Sequence, residues 1–137
     1  MNKNQTQRDA ILFEDSVVPY GNGVARFQSA NVKKIEELVS LGFLCASERQ
    51  NKSPTTLEFI KIAKEITKKY PKMAKQIYFH GYVLDKSRED YKTTLEGMGI
   101  ERGAQEITSE LKILLKTHFR DADALQFDNG EFFCWYD

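Results

Sequence analysis

The chain has 137 residues, 41% of them hydrophobic, and its 20 basic side chains balance its 20 acidic ones. That length suits one domain, and this apolar content with no net charge excludes a wholly disordered chain. No apolar run approaches the ~20 residues of a membrane-spanning helix, and two cysteines, Cys45 and Cys134, are too few for a disulfide scaffold.

Residues 1–9 are rich in Asn, Gln and Lys and read as a flexible tail. They lack the apolar core of an export signal, so a cytoplasmic protein with reduced thiols is expected. Residues 10–137 then form a single domain. Ile11-Leu12-Phe13 and Val17-Val18-Pro19-Tyr20 precede Gly21-Asn22-Gly23, and Val24-Ala25-Arg26-Phe27 follow it. Apolar runs around such a turn predict a β-hairpin, with Pro19 at an edge.

Ser29 or Asn31 caps the first predicted helix, along which Val32, Ile35, Leu38 and Val39 recur at helical spacing. Gly42 is placed to end it in a left-handed conformation. Ser53-Pro54 opens the second helix, because proline at the first helical position loses no hydrogen bond. Its apolar stripe runs from Leu57 to Ile66, and Pro71 stops it near Tyr70.

The aromatic stretch 76–84 reads as a strand. Tyr91, Thr93 and Leu95 alternate with Lys92, Thr94 and Glu96, which predicts a half-buried partner strand. Gly97, Gly99 and Gly103 read as a loose connection to the third helix, where Ala104, Ile107, Leu111, Leu114, Leu115 and His118 follow the helical repeat. Asn129-Gly130 is a strong hairpin turn. Pairing outward from it puts Leu125, Phe127, Phe132, Cys134 and Tyr136 on one face and Gln126, Phe133 and Trp135 on the other. The expected fold is α+β, in the order ββ-α-α-ββ-α-ββ, an antiparallel sheet of hairpins with about three helices on one face.

Catalytic signals are weak. His80 and His118 have no Cys, His or carboxylate at metal-ligand spacing, and no CxxC or HExxH is present. Neither a metal nor another cofactor is expected. Cys134 stands among Asp121, Asp123, Asp128, Glu131 and Asp137, which favour the neutral thiol over a nucleophile. The loop carboxylates Asp85, Glu89 and Asp90 are interleaved with Lys86 and Arg88 and read as solvated. The glycines at 97, 99 and 103 miss the dinucleotide-loop spacing by one residue.

Residues 99–132 faintly resemble the central part of a GGDEF diguanylate cyclase domain. A helix is followed by Arg120-Asp121-Ala122-Asp123 and a hairpin ending in Glu131-Phe132. The family's turn glycines are replaced by Asp128 and Asn129, and its metal-binding aspartate by Gly130, so the resemblance implies no cyclase activity. A helix followed by a hairpin accounts for it.

Charge is the stronger signal. Residues 48–75 carry eight basic and three acidic side chains, whereas residues 121–137 carry five acidic and no basic ones. Two surfaces are therefore candidates. An acidic aromatic hairpin bearing Phe133, Trp135, Asp128, Glu131 and Asp137 suits a protein partner of basic character, since large aromatics dominate binding hot spots. A lysine face of Lys61, Lys64, Lys68, Lys72 and Lys75 suits nucleic acid or another anion. The expected function is a small non-catalytic protein-binding module of immunity, antitoxin, anti-defence or regulatory type, by analogy of type alone. The alternatives are anion binding through the lysine helix and a small enzyme with His80, Tyr78 and Tyr82 in a cleft. No membrane partner is expected, and the opposed charges allow a homo-oligomer.

Overall fold

A computed structural model describes residues 5–14, 18–85 and 93–137. The order is α1 (Gln5–Phe13), β1 (Val24–Ala30), α2 (Val32–Ser40), α3 (Thr56–Lys69), a 3-10 turn (Pro71–Lys75), β2 (Ile77–Leu84), β3 (Thr93–Ile100), α4 (Ser109–His118), β4 (Ala124–Asp128) and β5 (Glu131–Trp135). The five strands form one sheet in the order β1-β2-β3-β5-β4, antiparallel throughout. This is an α+β domain, four described helices packed with one antiparallel sheet. No described helix is long and apolar enough to cross a membrane.

The N-terminal hairpin is replaced by a helix. Ile11, Leu12 and Phe13 lie in α1, and residues 5–9, read as tail, form its N-terminal half. A buried polar cluster holds it down: the Arg8 guanidinium and the Tyr20 hydroxyl both donate to Asp9, at 3.0 and 2.8 Å. That contact joins residues far apart in sequence, so local pattern did not show it. The turn at Asn22-Gly23 does form, with both residues at positive φ, but it closes a single bridge between Gly21 and Val24. β1 then pairs with β2 instead.

Asn31 caps α2 by accepting from the Lys34 amide at 2.9 Å, and Gly42 follows its end at φ 84°. The cap of α3 differs from expectation. Thr55, not Ser53, accepts from the Glu58 amide, and the Thr55 amide donates in turn to the Glu58 carboxylate. A reciprocal cap satisfies two free amides, which outcompetes the single bond Ser53 could offer. Lys69 is the last residue of α3, as Pro71 requires. α4 starts at Ser109 behind a Thr108 cap, so Ala104 lies outside it and is exposed.

One core fills the space between helices and sheet. Phe59 of α3 meets Phe79, Phe119 and Tyr136 with ring centroids 6.0 to 6.3 Å apart. Phe132, Cys134 and Tyr136 are buried on this face, in the hairpin register the sequence predicts.

Two features of β3 shape the other face. Gly97 and Gly99 lie inside the strand, not in a connection before the helix. The pairing also slips by one: His80 faces Gly97, but Gly81 faces Leu95. Glu96 is the extra residue of this β-bulge. An unbroken register would pair it with Gly81 and send its carboxylate into the apolar core. The bulge instead lets it reach Arg26 and Trp135 on the far side.

Candidate functional site

The face of the sheet opposite the Phe59 core carries a groove. Residues opposite one another across a sheet share a face. Tyr78 pairs with Gly99, which pairs with Phe133, which pairs with Gln126. His80 pairs with Gly97 in the next row. The two glycines carry no side chain, and their neighbours take up that space: the Tyr78 ring lies across Gly99, and the His80 ring and the Cys134 carbonyl lie against Gly97. A cavity of about 470 Å³ lies on this face, lined among others by Arg26, Tyr78, His80, Glu96, Phe133 and Trp135. Its lining comes from strands and from Glu101 just beyond β3, with no helical residue.

His80 is 8% exposed and stacks on Phe133, with centroids 4.7 Å apart and planes 14° apart. Its Nε2 lies 2.7 Å from the Cys134 carbonyl oxygen. A carbonyl only accepts, so Nε2 carries the proton. Burial lowers the His80 pKa, the Cys134 carbonyl works against that shift, and the Arg26 charge adds to it. The ring is therefore neutral at physiological pH.

Glu96 is 3% exposed, and its carboxylate accepts from Arg26 on one oxygen and from Trp135 Nε1, at 3.3 Å, on the other. A buried carboxylate needs such partners. The Trp135 ring is thereby fixed in orientation. Burial raises the Tyr78 pKa, and the charges of Glu101 and Glu131 raise it further. Two carboxylates thus act on the rim of the groove around Tyr78.

The sequence candidates separate. Phe133 and Trp135 both lie half-buried on this open face. Asp128 and Glu131 face each other at the exposed end of the hairpin, beside a smaller hollow of about 160 Å³ that Tyr78 and Phe133 also line. Asp137 sits at the opposite end, where its amide donates to Asp123 at 2.7 Å. Six residues of extended chain, about 20 Å, separate it from Glu131, so the acidic side chains do not close a ring.

Lys61, Lys64, Lys68, Lys72 and Lys75 are all exposed, the first three on α3 and the last two on the 3-10 turn after it, where Lys75 lines a second cavity with Tyr78 and Glu101. Lys64 pairs with Glu36 of α2 at 2.6 Å, and Lys69 pairs with Glu110 of α4, so acidic partners interrupt the stripe. His118 is exposed at the end of α4, 4.0 Å from Glu65. Cys45 is exposed and Cys134 is buried. Among the described residues no three His, Cys, Asp or Glu side chains gather as a metal site. Of the carboxylate loop, Glu89 and Asp90 with Lys86 and Arg88 lie outside the described residues.

No family model, curated protein or solved structure matches this chain. Its function is therefore read from the groove. Sequence reasoning missed Arg26, Glu96 and the two β3 glycines. The one available signal was the placement of Glu96 and two glycines directly after an alternating strand, a pattern that fits a bulge as well as a loop.

Proposed function

We propose that this chain is a small, non-catalytic protein-binding module that docks a basic segment of a partner on the face of its sheet that bears Phe133 and Trp135. The observation that carries this reading is the placement of Phe133 and Trp135. Both are half-buried rings that line the cavity, and a buried carboxylate orients one of them. Rigid aromatics lose little entropy on binding and bury large area. The acidic residues near them, Glu101, Glu131 and Asp128, favour a basic partner. An immunity, antitoxin, anti-defence or regulatory role in the cytoplasm fits such a module.

The test uses the chain's one tryptophan as its own probe. Synthetic peptides rich in arginine and lysine are titrated against Trp135 emission, with acidic peptides as control. Calorimetry on Trp135→Ala supplies the comparison. The proposal expects binding by basic peptides alone, weakened at least tenfold in the variant. Equal binding by acidic peptides, or no binding by any, refutes it.

Anion binding through Lys61, Lys68, Lys72 and Lys75 ranks second, because Glu36 and Glu110 neutralise neighbouring lysines. It predicts nucleic-acid affinity that falls steeply with salt. The enzyme reading has less support. The nearest carboxylate to His80 in the cavity, Glu96, is already engaged by Arg26 and Trp135.

A further inference from the structure

We infer that the cavity beside His80 is an arginine subsite, receiving the guanidinium of a partner's arginine between ring faces and hydrogen-bond acceptors. This deepens the docking proposal above and rests on it.

The lining holds two carboxylates, Glu96 and Glu101, and one cation, Arg26, beside the amphoteric side chains of Gln28, Ser29 and Tyr78. The Nε2–H of His80 is committed to the Cys134 carbonyl, which leaves a lone pair on Nδ1. Nδ1 has no hydrogen-bond partner among the described residues, and it is not one of the atoms sealed from solvent without one. His80 lines the cavity, so Nδ1 is within the proposed subsite's reach. Glu101 stands at the same cavity, exposed, and forms no ion pair among the described residues. The one cationic side chain of the lining, Arg26, already donates to Glu96.

The carboxylates and the His80 lone pair favour an occupant that brings donors and positive charge, and the rings favour a flat one. Phe133, Trp135 and Tyr78 supply those rings. A guanidinium is planar, carries five N–H donors, stacks on aromatic faces and is weakly hydrated. A lysine ammonium is compact and strongly hydrated, and it does not stack. An anion would face Glu96 and Glu101, and an aliphatic side chain would leave Nδ1 without a partner. The Arg26 charge opposes the guest, but Glu96 offsets it, and Glu101 and Glu131 add negative charge around Tyr78.

The experiment titrates the intact chain with N-acetylarginine methylamide and with its citrulline and lysine analogues. Trp135 emission and amide chemical shifts are the readouts. Citrulline keeps the shape and loses the charge. The expected result is shifts at Gly97, Gly99 and Trp135 with the arginine compound, and binding weaker by about tenfold with citrulline and with lysine. Glu101→Gln lies on the surface, leaves the fold intact and should weaken the arginine compound severalfold. His80→Gln should do the same.

Equal binding of arginine and citrulline overturns the subsite, as does an unchanged affinity in both variants. No shift from the arginine compound overturns it as well. If basic peptides still bind in the earlier titration, the docking reading survives any of these failures. If no basic peptide binds, both fall.

Discussion

His80 and Phe133 lie ring on ring, 4.7 Å between centroids, reaching toward each other across β3 from the strands on either side of it, β2 and β5. The stack covers the imidazole, and the Cys134 carbonyl fixes its proton on Nε2. A sheet face built to be solvated would more often carry small polar side chains here. This pair instead makes an apolar wall with one acceptor atom left over.

Stability should depend on pH through this ring. Burial holds the folded-state pKa of His80 below the usual 6.5. Between those two values the unfolded chain binds the proton and the folded chain does not, so stability falls as pH falls below 6.5. Urea midpoints measured from about pH 7 down to about pH 5.5 should decline. His80→Gln keeps a donor for the Cys134 carbonyl without titrating, and it should flatten the decline. An equally steep decline in the variant assigns the effect elsewhere.

The two β3 glycines should differ. A Cβ on Gly97 would strike the Cys134 carbonyl, which is backbone, and would lie 2.6 Å from His80 Nε2. A Cβ on Gly99 would strike the Tyr78 ring, which can swing away. Gly97→Ala should therefore cost about 2–3 kcal/mol and Gly99→Ala about 1 kcal/mol. Gly99→Ala should still disturb peptide binding, because the displaced Tyr78 ring blocks the groove. Chemical denaturation of both variants checks the order, and a reversed order contradicts the geometry.

Glu96 should govern the tryptophan. Glu96→Ala leaves Trp135 Nε1 without its acceptor and should cost about 1–3 kcal/mol. Trp135 emission should shift to the red as the ring loosens. Glu96→Gln retains an acceptor and should do less on both counts. Identical emission in the wild type and Glu96→Ala would show that the bond does not hold the ring.

The two thiols should react at very different rates. Cys45 is exposed, and hydrogen bonds from Ser47 lower its pKa. Cys134 is buried, and desolvation pushes its thiol up to about 12. Ellman's reagent should titrate one thiol per native chain promptly and the second only on unfolding. Two fast thiols under native conditions would place Cys134 outside the core.

Helical and hairpin periodicity was legible wherever neighbours in sequence determine the outcome. Asn31 and Gly42 bound α2, Pro71 ends α3, and Asn129-Gly130 sets the register that buries Phe132, Cys134 and Tyr136. What misled were features decided by distant partners. Ile11 to Phe13 are as apolar as a strand, but the Arg8–Asp9–Tyr20 cluster ties them down as a helix. Gly97 and Gly99 look like loop residues until Tyr78 and His80 from the next strand cover them. The aromatic half of the candidate site, Phe133 and Trp135, was visible from hairpin pairing alone. Its polar half, Arg26 and Glu96, depends on a bulge that no local pattern specifies.

Amide chemical-shift mapping with an arginine-rich peptide tests the central claim most directly. The account predicts shifts concentrated at Tyr78, His80, Gly97, Gly99, Phe133 and the Trp135 indole, with Lys61, Lys64 and Lys68 unmoved. Shifts gathered on the lysine face, or spread evenly over the surface, would contradict it.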